Sequence, residues 1–390
     1  MEVRTKQNIP SGWKQVVLGD LVSVTTGKRD ANHGSPDGQY PFFTCGQKVS
    51  RINNFAFDTE AVLIAGNGDF NVKYCKGKFD AYQRTYILSD FKNTTGSFIY
   101  QKAKQALNEI IKNNQGSSVK FIKMGDLTDY PLLLPPINEQ QKIAEILGAV
   151  DDEIAKTQEV IEATEKLKRG LMQQLFTRGI GHAKFKETEF GRIPDEWEVK
   201  ELKDVSIKIG DGLHGTPEYS DGSEYYFING NNIYERGIKI YPETKKISVE
   251  QHQLHKKELT SRSILLSING TIGNIGFYRG EKVALGKSIA YINCDDEINK
   301  EFVAYQLETQ RIYKYFAKEL TGTTIKNLSL GTIRQMPVFV PKKEEQQRIA
   351  NILSTIDEKI SVNKKLKEKF TLLKKGLMQD LLSGRVRAKL

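Results

Sequence analysis

Residues 134–147 read LPPINEQQKIAEIL, and residues 340–353 read VPKKEEQQRIANIL. The likeness extends without a gap from residues 116–175 to residues 322–381, where 22 of 60 aligned residues are identical. Unrelated segments of this length agree several-fold less often, so the sequence indicates an internal duplication. The fold is therefore expected to contain the same elements twice.

A second match lies near the start of each copy. Pro10 and Trp13 correspond to Pro194 and Trp197, at an offset of 184 residues, whereas the offset is 206 in the first match. The second copy is therefore longer by 22 residues in its interior. The order of elements along the chain is predicted to be domain, long helix, domain, long helix.

Each repeated stretch predicts one long helix. A proline followed by Glu139 or Glu345 is typical of a helix start, and Gly179 and Gly384 follow the last apolar turn. Because the stretches are copies with apolar residues spaced alternately by three and four, they predict an antiparallel coiled coil. The predicted seam consists of Ile143, Leu147, Val150, Ile154, Ile161, Leu171 and Leu175 in the first helix and Ile349, Leu353, Ile356, Ile360, Phe370, Leu377 and Leu381 in the second.

The domain interiors predict irregular β structure with short helices. Short apolar runs separated by Gly, Asn and Asp turns fill residues 61–79 and 263–285. A helical spacing of apolar residues follows each of them, at residues 97–113 and 301–320. The expected fold is α+β, with two duplicated, β-rich domains separated by two long antiparallel coiled-coil helices. The predicted boundaries are 1–136 and 183–341 for the domains, 137–182 for the first helix, and 342–390 for the second helix with a basic tail.

Composition narrows the class of protein. The chain has 390 residues and a net charge of +10, which favours an acidic partner such as nucleic acid. No apolar run approaches the roughly 20 residues of a membrane span, and the start lacks a secretory signal, so we expect a cytoplasmic protein without a membrane partner. Three separated cysteines fit neither a disulfide framework nor a zinc site and are expected to be buried thiols.

The whole chain resembles the specificity subunits of type I restriction-modification enzymes. The resemblance rests on the Pro-x-x-Trp starts, the two helix openings quoted above, the ending KRGLMQQLFTRGIGH at residues 168–182, and the linker FKETEFGRIPDEWEVKEL at residues 185–202. None of these motifs is specific alone, but their order, present twice, is highly specific.

The resemblance implies a function and a set of partners. Each target-recognition domain would read one half of a bipartite, asymmetric site on double-stranded DNA, while the helices set the gap and dock two methyltransferase (modification) subunits. The modification subunits would bind S-adenosylmethionine and methylate adenines, and restriction subunits, the motor and nuclease, would use ATP and Mg. No cofactor or metal is expected in this chain, because it lacks an NPPY-like motif, a phosphate-binding GxxxxGK[ST] loop and a nuclease carboxylate set.

Polar loops supply the residues expected to touch DNA. Base edges are read by Arg, Lys, Asn, Gln, Ser or Thr, and phosphates are held by Lys, Arg and backbone amides. The matching loops with Lys120 and Lys326 are assigned to phosphate. The candidates in the first domain are Lys28, Arg29, Asn32, His33, Asn67, Asn71, Lys73, Gln83, Arg84 and Lys120. Those in the second domain are His214, Thr216, Asn229, Asn231, Asn232, Asn269, Thr271, Asn274, Lys287, Ser288 and Lys326.

Other interpretations remain open from the sequence. Each Asn could simply build a turn, and the two histidines could be ordinary loop residues. The whole chain could be a coiled-coil scaffold whose duplicated domains bind proteins, or a self-sufficient enzyme. The missing catalytic motifs argue against the enzyme, and a scaffold would select no bipartite DNA site.

Overall fold

A computed structural model of the chain describes residues 9–112, 120–319 and 327–389. These residues form two compact units, of which unit 1 combines residues up to 160 with residues from 363 onward, and unit 2 comprises residues 161–362. Each unit mixes helices and strands, so the predicted α+β class is confirmed.

The described residues of the first copy form eight strands and three α-helices. The strands are β1 (Lys14–Val17), β2 (Ser23–Thr26), β3 (Tyr40–Phe43), β4 (Ser50–Ile52), β5 (Phe57–Ala65), β6 (Val72–Ala81), β7 (Thr85–Ser89) and β8 (Pro131–Leu134). The helices are α1 (Gly96–Lys112), α2 (Met124–Thr128) and the long α3 (Ile137–Arg178).

The second copy has more and shorter strands. They are β9 (Phe185–Lys186), β10 (Ile193–Pro194), β11 (Glu198–Glu201), β12 (Ser206–Asp211), β13 (Tyr225–Ile228), β14 (Ile233–Tyr234), β15 (Gly237–Ile238), β16 (Lys246–Ile247), β17 (Ser263–Ser267), β18 (Ile275–Phe277), β19 (Val283–Leu285), β20 (Ile289–Cys294) and β21 (Pro337–Val340). The helices are α4 (Val249–His255), α5 (Lys300–Leu307), α6 (Gln310–Glu319), α7 (Leu330–Arg334) and the long α8 (Lys343–Leu381).

Unit 1 is built on a six-stranded sheet of order β2-β7-β5-β6-β3-β4. The second half of its central strand β5, residues 61–65, is a continuous apolar run because both of its faces are covered. Val62 and Ile64 pack in one cluster with Phe98 of α1, whereas Leu63 packs in another with Phe79 of β6. Burying each such side chain contributes about 1.5–3 kcal/mol.

Unit 2 repeats this plan with the sheet divided in two, of orders β12-β20-β17-β18 and β16-β13-β19. Strand β17 again has two covered faces, since Ile264 and Leu266 belong to one core cluster and Leu265 to another. The two-stranded sheet of β1 and β8 returns as that of β11 and β21, with antiparallel registers in both. The structure thus carries the duplication that the sequence predicts.

Within each unit, the halves of the long helices contact one another in antiparallel order. In unit 1, Asp151 of α3 pairs with Lys374 of α8, and seven residues further along α3 Gln158 accepts a hydrogen bond from Lys367, which lies seven residues earlier on α8. In unit 2, Asp357 of α8 lies 2.6 Å from the ammonium of Lys168. All predicted seam residues are buried or half-buried.

A carboxylate on each long helix also joins that helix to its domain. Asp151 accepts hydrogen bonds from Gln101 (3.0 Å) and Lys104 (3.2 Å), both on α1. Asp357 accepts one from the Tyr305 hydroxyl (2.7 Å) and pairs with Arg236. Despite the opposing effect of burial, the donated hydrogen bonds and the adjacent ammonium groups hold the pKa of Asp151 below its usual value.

The repeated Glu-Gln-Gln motif ties the start of each long helix to the nearby chain. Glu139 accepts hydrogen bonds from the Trp13 indole (3.0 Å) and the Arg387 guanidinium (2.7 Å), and Arg387 lowers the pKa of this carboxyl. In unit 2, Glu345 accepts from Trp197 (3.2 Å) and lies 2.9 Å from the His182 ring nitrogen. The glutamate of the motif is therefore held by a tryptophan indole in both units.

Candidate nucleic-acid interface

Three loops of unit 1 meet where β2 and β5 end and β7 begins. We call residues 27–33, 66–71 and 82–84 loop cluster 1. The amide of Gly66 donates to the Arg84 carbonyl (2.8 Å), and that of Gln83 to the Arg29 carbonyl (2.9 Å). A Cβ at Gly27 would lie 2.0 Å from the Ala81 carbonyl oxygen, so only glycine permits this approach.

Unit 2 repeats the junction with residues 212–216, 268–274 and 286–288, which we call loop cluster 2. The Ile268 amide donates to the Ser288 carbonyl (2.9 Å), and the Leu213 amide to the Leu285 carbonyl (2.7 Å). A Cβ at Gly212 would lie 2.3 Å from two carbonyl oxygens. The chain therefore carries two equivalent loop platforms on two similar sheets.

The segment that begins at residue 120 in unit 1, and its repeat counterpart from residue 327 in unit 2, each join one cluster. In unit 1, the amide of Ile122 donates to the Gly66 carbonyl (2.8 Å), which places the exposed Lys120 two residues from cluster 1. In unit 2, the amide of Leu328 donates to the Ile268 carbonyl (2.9 Å) in the same way. The candidate Lys326 lies outside the described residues.

About half of the predicted DNA-contacting side chains are exposed. In unit 1 these are Lys28, Arg29, Asn32, His33, Gln83, Arg84 and Lys120, and in unit 2 they are His214, Thr216, Asn231, Thr271 and Lys287. Three of them are tethered to carboxylates: Arg29 to the buried Asp80 (3.3 Å), Gln83 to Asp30 (2.9 Å) and His214 to Asp211 (2.6 Å). The tethers limit the rotamers of these side chains and leave other polar atoms of each facing outward.

Asn71 and Lys73 serve the fold of cluster 1. The Asn71 amide donates to the Cys45 carbonyl (2.9 Å) and is only 9% exposed, while the Lys73 ammonium donates to the Gly46 carbonyl (2.6 Å). Burial lowers the pKa of Lys73. Asn67 is half-buried and accepts a hydrogen bond from the Cys45 thiol (3.1 Å). These contacts hold a further loop, residues 44–49, beside the cluster.

In unit 2, four candidates shape turns in the same way. Asn232 is 4% exposed, and its side chain bridges the Lys239 carbonyl (2.9 Å) and the Asn229 amide (2.9 Å). The Ser288 hydroxyl donates to the Asn229 side chain (3.0 Å), and Asn274 donates to the Ile233 carbonyl (3.1 Å). Asn269 is half-buried at the edge of its loop. For these residues the turn-forming alternative describes the contacts that the structure shows.

The structure also reveals two surface segments that the sequence reading missed. Gln47 and Lys48 are exposed on the loop that Asn71 and Lys73 hold. In the longer second copy, Lys239 lies 4.9 Å from the ring centre of the exposed Tyr234, and Lys245 lies 5.9 Å from that of Tyr219. The interleaving of Lys and Tyr over residues 234–246 was the available signal.

The described part of the chain also bears on a metal site, a membrane span and the state of the cysteines. Among residues 9–112, 120–319 and 327–389, no group of His, Cys, Asp and Glu side chains is arranged to hold a metal ion. The same residues contain no helix long and apolar enough to span a membrane. Of the three cysteines, only Cys294 is buried, and burial raises its pKa to about 12. Cys45 and Cys75 are half-buried, which corrects the expectation of three buried thiols.

The chain matches the family profile described as "Type I restriction modification DNA specificity domain" over residues 10–165 and again over residues 194–372. It is 41% identical to the type I restriction enzyme EcoDI specificity subunit of Escherichia coli over 189 residues, an alignment that spans 48% of this chain and 40% of that relative. It is 28% identical to the MjaVIII specificity subunit of Methanocaldococcus jannaschii over 98% of this chain and 94% of that relative.

A solved structure shares the fold. The S subunit of a type I restriction-modification system from M. genitalium superposes with a TM-score of 0.67 at 18% identity, covering 97% of this chain and 98% of that one.

Proposed function

The chain belongs to the family of type I restriction modification DNA specificity domains, and from this premise we propose that it is the non-catalytic, DNA-reading subunit of a type I restriction-modification complex. The proposal extends to both units, since the family profile matches twice. Its mode of action is recognition, in which each unit contacts one half of a bipartite double-stranded site.

The observation that carries the proposal is the pair of equivalent loop clusters. Both are fixed by a matching backbone hydrogen bond between two of their loops, from Gly66 to Arg84 and from Ile268 to Ser288, and both expose polar and cationic side chains. Rigid strands that position exposed polar loops are a common arrangement for binding sites. Lysine and arginine at the loops supply phosphate contacts, and polar groups beside them supply contacts to base edges.

Different side chains at equivalent positions support two different half-sites. Gln83 and Arg84 of cluster 1 correspond to Lys287 and Ser288 of cluster 2. Gln83 and Lys287 are both exposed, and glutamine pairs best with adenine whereas lysine pairs best with guanine. The bipartite site is therefore asymmetric in the proposed function.

The long helices have a separate role in the proposal. As an antiparallel coiled coil they set the gap between half-sites and dock two modification subunits. Exposed apolar residues at equivalent positions of the two helices support repeated docking: Val160 and Leu366 are 41% and 39% exposed, and Leu167 and Leu373 are 55% and 49% exposed. S-adenosylmethionine is proposed for the modification subunits, and ATP and Mg for the restriction subunits.

Mapping methylated adenines tests the proposal directly. The chain is expressed with its modification subunit in a host whose own adenine methylation is deleted, and a host without the chain is the control. We expect one motif with two specified halves and a fixed unspecified gap. A scaffold would give no methylated motif that depends on the chain. One continuous motif without a gap would contradict the bipartite function.

A further inference from the structure

Unit 2 contains a cavity of about 530 Å³ between the end of α3 and the helices α5 and α6. Its volume falls within the range of roughly 300–1,000 Å³ that is usual for ligand pockets. Met172, Phe176 and Phe339 form an apolar lining, and Arg169 and Arg311 supply two cations. This cavity, which we call the Arg311 cavity, has no part in the loop clusters.

A break between two helices accompanies the cavity. Helix α5 ends at Leu307 and α6 begins at Gln310, whereas α1 of unit 1 runs unbroken from Gly96 to Lys112. In unit 1, Lys102 and Gln105 of α1 donate hydrogen bonds of 3.1 Å to the carbonyls of Leu382 and Met378. Leu382 and Met378 are the repeat equivalents of Phe176 and Met172, so the matching surface of unit 1 is occupied by its own helix.

Among the described residues, no carboxylate pairs with the Arg311 guanidinium, although two other groups contact it. Its guanidinium lies 4.4 Å from the ring centre of Phe339, and one terminal nitrogen donates to the Arg192 carbonyl (3.3 Å). The other terminal nitrogen, Nη1, is buried and has no acceptor among the described residues. A half-buried guanidinium without a counter-charge is costly, and a carboxylate is the group that matches its charge best.

The carboxylate that lines the cavity is engaged elsewhere. Glu308 pairs with Arg236 and with Lys168 (3.3 Å). Arg169 is exposed at the rim and adds a second positive charge. The cavity therefore combines an apolar surface with an uncompensated cation, which complements a ligand that carries an apolar group beside a negative charge.

We propose that the Arg311 cavity binds, once per chain, a segment of a partner protein that presents an apolar side chain next to a carboxylate. The apolar side chain lies against Met172 and Phe176, and the carboxylate accepts from Arg311. Exposed Gln173 and Gln310 at the rim supply hydrogen bonds to the backbone of such a segment. The partner rests on the proposed function, as another subunit of the same complex. Because the matching surface of unit 1 is occupied by α1, this contact differs from the repeated docking on the long helices.

A peptide titration on the full chain tests this inference. The probe is fluorescein-labelled Gly-Ser-Phe-Asp-Gly-Ser amide, with a matched Phe-Asn peptide that lacks the negative charge. We expect the Phe-Asp peptide to bind with a Kd below about 1 mM and the Phe-Asn peptide to bind at least about tenfold more weakly, as for loss of one charged hydrogen-bond pair. Equal affinities, or no binding of either peptide below that concentration, would overturn the proposal.

Variants locate the binding. Arg311→Gln should weaken the Phe-Asp peptide about tenfold and remove its advantage over Phe-Asn, and Arg169→Gln should weaken it several-fold. Lys314→Gln, an exposed change on the same helix, is the control and should bind as the native chain does. An unchanged affinity of Arg311→Gln for the Phe-Asp peptide contradicts the inference. Binding of N-acetylphenylalanine as tight as that of the peptide also contradicts it, because this result would indicate a site for a small-molecule carboxylate. The adenine methylation motif of Arg311→Gln is expected to be native, so a failure here is distinct from a failure of DNA recognition.

Discussion

At single residues, the loop clusters separate two kinds of polar side chain. Asn71 and Asn232 are buried and satisfied within the protein, while Arg84 and Lys120 are exposed. Substitution of the first pair would disturb the loops themselves, because buried amides left without partners are costly. The exposed residues therefore give the more direct tests of DNA contact.

Replacing Arg84 with alanine should alter sequence preference. An arginine that pairs with a base contributes about 1–3 kcal/mol of discrimination at that position. Binding of the assembled complex to duplexes substituted at one base pair at a time, followed by fluorescence anisotropy, should show relaxed preference at one position of one half-site. A uniform loss over all duplexes would assign Arg84 to phosphate instead.

Replacing Lys120 with alanine provides the contrast. A phosphate contact carries no sequence information, so affinity for all duplexes should fall together. The slope of log affinity against log salt should decrease in magnitude by about one, as for the loss of a single phosphate contact. An unchanged salt slope would exclude the phosphate role.

Glu139 should make unit 1 sensitive to acid. Arg387 lowers the pKa of this carboxyl from 4.5, so the stability that its charge contributes is present above that pH and is lost as the pH falls through the lowered folded value. Glu139→Gln should therefore reduce the free energy of unfolding by about 1–2 kcal/mol at pH 7, since Arg387 is partly exposed, and by less below pH 4.5. Urea unfolding of Glu139→Gln and of the native chain, at pH 7 and below pH 4.5, measures the difference in the free energy of unfolding. Glu145→Gln, in an exposed pair on the same helix, should change stability by less than about 0.5 kcal/mol at either pH.

Among the elements, the long helices depend on polar contacts as well as on apolar ones. Asp151 lies between Lys374 of the neighbouring helix and Lys104 of α1, and Lys374 is largely buried. Burial lowers the pKa of Lys374 to about 8, although the carboxylate opposes this shift. One carboxylate therefore compensates two ammonium groups.

Asp151→Ala should destabilise unit 1 more than Lys374→Met does. The first change leaves Lys104 and Lys374 near each other without a counter-charge, at a cost of about 2–4 kcal/mol. The second change keeps Asp151 paired with Lys104 and replaces a buried ammonium by an apolar group of similar length, at a cost below about 1 kcal/mol. Urea unfolding followed by circular dichroism compares the two variants, and an equal cost would contradict this account.

The sequence predicted the elements better than the site. Repetition and regular apolar spacing predicted α3 and α8, since both patterns can be recognised in the sequence without the tertiary fold. Whether Asn71 points inward depends on the path of residues 44–49, which no local pattern encodes. The break between α5 and α6 was missed for a similar reason, because residues 301–320 keep a helical spacing across it.

For the whole molecule, the two units carry different side chains on equivalent loops. The proposed function then requires that each half of the DNA site depend on one unit only. Thr271 and Lys287 are exposed in cluster 2 and are suited to test this independence.

The double variant Thr271→Ala, Lys287→Ala should change one half of the methylated motif and leave the other half and the gap as they were. The reason is that base contacts at separate positions act almost independently. Sequencing that detects methylated adenine measures all three features in one experiment, with Lys314→Ala as the control. A change in both halves, or in the gap, would show that the units do not read independently.

The carboxylates Asp151 and Asp357 have an evolutionary consequence. Each occupies the same place in the repeat, yet one is satisfied by an amide and an amine of α1 and the other by a phenol and a guanidinium. The same carboxylate position thus accepts chemically different hydrogen-bond donors. In the proposed function, a recognition domain can therefore be replaced by an unrelated one that carries any suitable donor. Such a replacement changes the DNA target and leaves the long helices as they were.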